Sequence, residues 1–452
     1  MESPAVTAAI AQTVRAISYE ALPADVRALA THCLLDWIGV ALAGADEPLT
    51  RMLRAEVLEE GGAPQATLFG HGARVSARQA ALVNGAASHA LDYDDVHMGM
   101  SGHPSVPIVP ALLALAERRH SSGRDVMAAL VAGFEAECRI GAYVMPGHYS
   151  VGFHATGTLG TFGAAAACAH LLGLDAGQWL NAFGIAGAQA AGLKSMFGTM
   201  CKPLHAGKAA ANGLLAATLA ARGFTSSEAV LEAAQGFAAT QTLTPNADRA
   251  LDGLGAEFAI RGVLFKYHAA CYGTHETIEA VTRLRERHGL GAEDVARINL
   301  LVPPGNLAMC NIQEPRTALE GKFSLRFAAA LALAGGGTQE AAFTDAAVAR
   351  PDLVAIRDRV AIEGSAAALD GTEVSIVTRA GVELREKVSL NIPVTDLAMQ
   401  WSRLTAKFRS LAGPVIGPAA AAELIDAVAR FDGAPDVSAI VSLAAGAVLV
   451  NA

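Results

Sequence analysis

Residues 140–174 contain no Asp, Glu, Lys or Arg. A charge-free run of that length has to be buried, either in a bilayer or in a protein core. It includes Pro146, His148, His154, His170 and several glycines, and its apolar content is mainly Ala and Gly rather than the Leu, Ile, Val and Phe that favour insertion. The run therefore reads as a buried helix with a polar loop in a soluble protein, with no membrane partner. The rest of the chain can supply such a core. Of its 452 residues 52% are hydrophobic and 17% charged, which excludes a disordered or fibrous chain. That length exceeds one ordinary core, so two domains are expected.

Charge and cysteine usage narrow the class further. With 34 basic and 43 acidic residues the formal charge is −9, the wrong sign for a surface that tracks phosphates, so no nucleic-acid partner is expected. Aromatics at 5% also argue against base stacking. The opening MESPAVTAAIAQTV lacks a basic n-region and a continuous apolar h-region, so no signal peptide is read there. Cys33, Cys138, Cys168, Cys201, Cys271 and Cys310 form no CxxC pair, a pattern that fits a reducing cytoplasm and argues against a zinc ribbon or iron–sulfur site.

Up to about Gly262 the sequence reads as helices. Val26, Leu29, Cys33, Leu34, Trp37 and Val40 form one helical stripe, and others run through 124–143, 157–172, 179–197 and 203–222. Gly157, Gly160 and Gly163 recur every third residue. No strand precedes them and the spacing is not GxGxxG, so close helix approach is preferred to a phosphate loop. After Gly262 the segments 296–302, 359–363, 373–379 and 382–391 read as strands, with Ala380-Gly381 as a hairpin turn. Segments 321–334 and 341–349 read as helical, and helix resumes over 397–411 and 419–431. The expected fold is mainly α: a large all-helical domain of residues 1–262 plus 394–452, interrupted by a smaller α+β domain over 263–393.

Ionisable residues are scarce, so their clusters are informative. HALDYDDVHMGMSGHPS gathers His89, Asp92, Tyr93, Asp94, Asp95, His97 and His103 on a Gly/Pro-containing loop. Asp and His at short spacing could hold a divalent ion, but there is no HExxH pattern and no second acidic cluster, so no metal is assigned. One or two of these Asp residues should cap a helix end. GHYSVGFHATG places His148, Tyr149 and His154 before a Gly/Ala helix, where each imidazole is either a core residue or a proton carrier. In FGTMCKPLHAGKAAANG, Pro203 reads as the first helical residue, with Lys202 at the cap and His205 and Lys208 in the first turns. Cations are unfavourable at a helix N-terminus unless an anion answers them, which points to a negatively charged ligand. FKYHAACYGTHETIEA adds Lys266, His268 and His275, and EGKFSLRF adds Lys322 and Arg326. Together they suit a small polycarboxylate, bound by lysines and Arg326 while histidines and Asp92 move protons. Two other classes stay open: an all-helical synthase binding Mg²⁺–diphosphate through Asp92, Asp94 and Asp95, and a non-catalytic helical scaffold.

The segments HALDYDD with GHPS, GFHATGTLGTFGAAAA, KPLHAGKAAANG, KYHAAC and GKFSLRF resemble, in order and across most of the chain, the MmgE/PrpD family. The resemblance implies an all-helical domain with an α+β lid, a site in the cleft between them, a homodimer, and no metal or organic cofactor. It carries catalytic roles onto Asp92, His103, His154, Lys202 and His275, and substrate-carboxylate roles onto Lys266 and Lys322, beside His268 and Arg326. The activity it implies is a cofactor-independent lyase that handles a proton next to a carboxylate, first a 2-methylcitrate-type hydro-lyase. The alternatives are an iminodisuccinate-type epimerase and a cis-aconitate-type decarboxylase. Two positions depart from the family pattern. Val151 stands where relatives often carry Arg, which weakens the methylcitrate assignment, and Phe327 stands where the decarboxylases carry Tyr, which weakens theirs.

Overall fold

The charge-free run closes one long helix and opens another. In the computed structural model, which describes residues 5–366 and 369–446, helix Gly123–Val144 ends within the run, a short helix Gly147–Val151 follows, and helix Ala155–Leu172 takes up the rest. Residues 1–4 and 447–452, the ends of the expected helical domain, and residues 367–368 of the expected α+β domain lie outside the described residues. The chain divides into two compact units, one made of the residues up to Phe265 with those from Val394 onward, the other of Lys266–Pro393.

The first unit is mainly rather than wholly helical, since Ala66–Thr67 pairs with Arg74–Val75 and Val96–His97 with Val263–Leu264, two short antiparallel pairs. Helix Ala155–Leu172 is buried from Ala155 to Ala169 and packs against Ser105–Arg119, Gly123–Val144 and Cys201–Ala220. The glycine triplet explains how it can. A Cβ at Gly157 would lie 2.6 Å from the Ala191 carbonyl, one at Gly160 2.4 Å from Pro107 Cγ, and one at Gly163 2.4 Å from a Glu137 oxygen. Close helix approach is what those glycines serve. Among the described residues one helix, Ala24–Ala43, is long and apolar enough to cross a membrane, but 78% of its apolar window is buried inside the structure. It packs against Leu397–Ile416, from the far end of the sequence.

The second unit holds a four-stranded sheet in the order Val360–Gly364, Val295–Val302, Thr372–Thr378, Glu383–Val388. The first pair is parallel and the others antiparallel. Gly381, at φ 83°, turns the last hairpin where the sequence placed it. Helix Tyr272–His288 packs on the last two of those strands, and Leu325–Ala334 packs on that helix.

Three expected helices differ. Segment 321–334 is two helices, Ala318–Lys322 and Leu325–Ala334, because the Ser324 hydroxyl accepts from the Phe327 N–H and starts a new one. Segment 341–349 shrinks to Asp345–Val348, capped by Thr344. Segment 179–197 ends as Ala176–Gly187, since the following chain is drawn off by the His154 N–H to the Gly192 carbonyl and by a bridge between Phe153 and Leu193.

Candidate active site

Four of the five expected catalytic side chains meet in the first unit, and glycines bring them there. Helix Ala77–His89 starts at a Ser76–Gln79 capping box and ends at His89. It crosses Cys201–Ala220 at Gly85 and Gly207, so closely that a Cβ on Gly85 would lie 2.9 Å from the Gly207 Cα. That crossing carries Lys202 and His205 toward the end of the first helix, where residues 90–104 loop away. Helix Cys201–Ala220 begins two residues before the expected start, with Pro203 third. Proline is tolerated there because the first four N–H groups have no intrahelical partner. Lys202 is thus inside the first turn rather than at the cap.

The anion that answers Lys202 is in the protein itself. Its Nζ donates to Asp92 Oδ1 at 2.8 Å, and His103 Nε2 lies 3.7 Å from the same oxygen. His103 Nδ1 is 2.9 Å from both the Asp95 carbonyl and Asp94 Oδ2. That nitrogen therefore carries a proton, and in the neutral ring Nε2 presents its lone pair toward Asp92. His89 Nδ1 is 3.0 Å from both Asp94 oxygens, while its buried Nε2 has no hydrogen-bond partner. Burial alone would raise the Asp94 carboxyl, but His103 and His89 beside it hold it well below the usual carboxylate range. Burial brings His89 down to about 4, against the pull of Asp94. Burial also pushes Asp95 up to about 7, although it accepts from both the hydroxyl and the N–H of Ser105 at the start of helix Ser105–Arg119. Asp95 thus satisfies one free N–H at that helix start from a distance, while the N-cap position itself is Pro104 and not an Asp of the cluster.

His154 is the N-cap residue of helix Ala155–Leu172. Its Nδ1 lies 2.9 Å from His205 Nδ1, and its ring stacks on His89 at 5.9 Å and meets the Phe197 ring edge-on at 5.0 Å. Burial, then the neighbouring His89 and Lys202, push its pKa well down, so it is a neutral imidazole. The catalytic assignment omitted Asp94 and His89, which stand against His103 and His154, and also His205. The signal for His205 was present: it stands three residues after Lys202 in one helix, on the same face. His148 has the bland role, bonded to the Gln241 carbonyl and the Thr158 hydroxyl, and His97 bonds the Ala259 carbonyl.

The other expected site residues belong to the second unit. His275, in the first turn of Tyr272–His288, donates from Nε2 to the Ala270 carbonyl at 3.1 Å and meets His268 edge-on at 5.0 Å. His268 itself bonds Thr338 and Glu279. Lys266 is buried. Lys322 reaches both Glu340 oxygens, at 2.7 and 2.8 Å, so its charge is already matched. Arg326 donates to the Asn311 side chain and has no carboxylate partner among the described residues.

His89, Asp92, Asp94 and His103 each offer a ligand atom within 4.8 Å of the others, a set that could hold a metal ion. Its groups already have partners in the protein, with the Lys202 ammonium on Asp92 and both imidazole Nδ1 atoms bonded to Asp94. A dication entering there would compete with Lys202 for Asp92. The arrangement suits proton transfer beside a fixed cation: an Asp–His pair with one free imidazole nitrogen, a neutral imidazole next to it, and an ammonium.

Two family models match the chain, one described as the MmgE/PrpD N-terminal domain over residues 8–249, the other as the MmgE/PrpD C-terminal domain over residues 268–432. A cis-aconitate decarboxylase-like protein of Aspergillus oryzae is 27% identical, over 98% of this chain and 97% of its own. A cis-aconitate decarboxylase of Aspergillus terreus is 26% identical, over 97% and 95%. The cis-aconitate decarboxylase of Homo sapiens is 28% identical, over 82% and 80%.

Proposed function

Because this chain belongs to the MmgE/PrpD family, we propose that it is a lyase acting on a small tricarboxylate, with Asp92, His103, His154 and Lys202 as its working residues. The observation that carries the reading is the Lys202 ammonium held on Asp92 beside the free end of an Asp94-oriented imidazole. An ammonium has three donors and Asp92 takes one, which leaves N–H groups for a substrate carboxylate and for the charge that develops on the carbon beside it. His103, its Nδ1 proton committed to Asp94 and the Asp95 carbonyl, takes or returns a proton at Nε2. The Asp94 anion stabilises the imidazolium that results. Neutral His154 is the second proton-carrying group.

Decarboxylation is the first reaction to test, since the relatives above carry it in their names. Breaking the C–CO₂⁻ bond leaves the electron pair on a carbon conjugated to a remaining carboxylate, and a proton is then delivered there. A hydro-lyase reaction of the methylcitrate type is the second reading, and one position favours it. Phe327 is buried against Phe343 in the second unit and offers no phenol. Dehydration begins with proton removal from the same kind of carbon, so the same base and cation serve. Reprotonation from the other face would make the enzyme an epimerase, and none of the three reactions requires a resident cofactor.

The test is to incubate the purified protein with cis-aconitate, 2-methylcitrate and an iminodisuccinate stereoisomer. CO₂ release, new alkene absorbance or a change in optical activity, respectively, identifies the reaction. A protein that does none of these, and catalyses no exchange of substrate carbon-bound hydrogen with D₂O, is not a lyase of this kind.

A further inference from the structure

The loop that carries Asp92 and Asp94 is held from behind by a buried cation belonging to a distant part of the sequence. Lys407 lies in helix Leu397–Ile416 and is 5% exposed. Its Nζ donates to Asp36 Oδ1 at 2.6 Å and to the Tyr93 carbonyl at 2.6 Å, and stands 4.1 Å from the centre of the Tyr93 ring. Asp36 is buried in helix Ala24–Ala43. An ion pair that merely fastened two helices would be complete with Asp36. The bond to the Tyr93 carbonyl extends it to the peptide between the two carboxylates of the site.

That peptide is where the loop needs support. Asp92 has φ 51°, a left-handed conformation uncommon outside glycine, although Asp adopts it more readily than most residues. The Asp92 N–H reaches the His89 carbonyl at 3.3 Å, a long bond, and the Asp95 carbonyl is bonded by His103, itself part of the site. Past Asp94 the loop is held by Ser105 on the Asp95 side chain and by the pairing of Val96–His97 with Val263–Leu264, and between Asp92 and Asp94 Lys407 holds the Tyr93 carbonyl. We propose that Lys407 is a positioning residue. By holding the Tyr93 carbonyl it fixes the turn that points Asp92 at Lys202 and Asp94 at His103 and His89. The proposal rests on the reading of Asp92, His103 and Lys202 as working residues, and its test includes a readout that needs no substrate.

The variant to make is the pair Asp36→Leu with Lys407→Met, which removes both charges together and so leaves no lone buried ion. The control is Gln400→Met. Gln400 bonds His32 at 2.7 Å between the same two helices without reaching the loop. For each protein, thermal melting, competitive acetylation of Lys202 read by peptide mass spectrometry, and kcat and KM on the substrate that the wild type turns over are measured. In the double variant Lys202, released from Asp92, should acetylate about tenfold faster, and kcat should fall by about 10²-fold with KM changed far less, the expected cost of a misplacement near 1 Å. Gln400→Met should lower the melting temperature while leaving acetylation and kcat as in the wild type.

A folded double variant with wild-type acetylation and kcat overturns the proposal. So does a Gln400→Met protein that shows the same changes as the double variant, because simple loosening of the helices would then be the cause. Should Asp36→Leu with Lys407→Met not fold, Asp36→Asn with Lys407→Gln removes the same charges and is read in the same way. If the wild type turns over none of the offered substrates, the lyase reading fails and Lys202 acetylation still decides on Lys407.

Discussion

Asp92 holds a left-handed backbone, which Asp tolerates better than most L-residues, and its consequence is geometric: one carboxylate oxygen meets both the Lys202 ammonium and the free side of His103. Since Lys202 is the cation of the set, Lys202→Ala should lower kcat/KM on the order of 10²–10³-fold, as loss of a charge-stabilising donor does. Its pair with Asp92 is mostly buried, and the variant leaves that carboxylate without its cation, so the fold should lose about 1–3 kcal/mol. Steady-state kinetics with thermal melting checks both, and an unfolded variant would make the lysine structural. Titration gives a second expectation. His89, at about 4 in the fold against 6.5 free, contributes stability that is complete above pH 6.5 and lost as pH falls toward 4. Asp95 runs the other way. Its folded value of about 7 exceeds the free 3.8, so its contribution is complete below pH 3.8 and lost as pH rises through 7. Asp95→Asn mimics the neutral form and should gain on the wild type by several degrees of melting temperature between pH 4 and pH 7; parallel melting curves across that range would refute it. The sequence marked the segments of Asp92, His103, His154 and Lys202 as clusters of ionisable residues and the resemblance singled out those four, which the structure brings together. Lys407 was not picked out, although Leu404, Phe408 and Leu411 place it on the apolar stripe of its helix, where a lysine implies a buried partner. Naming that partner needed the packing of residue 407 against residues 36 and 93.

At the scale of elements, the helices of the first unit are positioned by what their side chains lack. Gly160 faces the rigid ring of Pro107, two residues into helix Ser105–Arg119 and four past His103. Gly160→Ala would place a methyl 2.4 Å from Pro107 Cγ, and a proline ring cannot rotate away. The expected cost is about 1–3 kcal/mol, read as a fall of a few degrees in melting temperature. The His103 end of the site should shift with it, so kcat should fall as well. A variant as stable as the wild type would show that the two helices can part without loss. Periodicity revealed these helices and their close contacts but not their ends. Segment 179–197 kept its apolar pattern past Gly187, and the break came from bonds made by Phe153 and His154, more than thirty residues earlier in the chain. The hairpin at Gly381 was legible for the opposite reason, since its turn chemistry is local.

For the whole molecule, the segment after Pro393 decides whether the first unit can fold. Leu404, Phe408, Leu411, Leu424, Ile425, Val428 and Phe431 are all buried, and each is worth about 1.5–3 kcal/mol when taken out of water. Their sum approaches or exceeds the 5–15 kcal/mol by which domains of ordinary size are stable. The segment also supplies specific bonds. Lys407 neutralises Asp36, Gln400 meets His32, the Ala444 carbonyl accepts from the Gly70 N–H, and the Ala434 carbonyl accepts from the Gly123 N–H. Phe408 lies against Gly39, where a Cβ would come within 3.0 Å of its ring. The helical stripes at 397–411 and 419–431 were visible in the sequence, but two stripes alone do not say which surface they cover; the buried acid at Asp36 and the bare Gly39 do. A chain ending at Pro393 should therefore lose near-UV circular dichroism and bind a hydrophobic dye, because it leaves Asp36 buried without its cation and an apolar helix face uncovered. Adding residues 394–452 as a separate peptide should restore both signals and the activity. A truncated chain that still unfolds cooperatively, with wild-type near-UV dichroism and no dye binding, would mean that the first 265 residues fold on their own and that the final segment only decorates them.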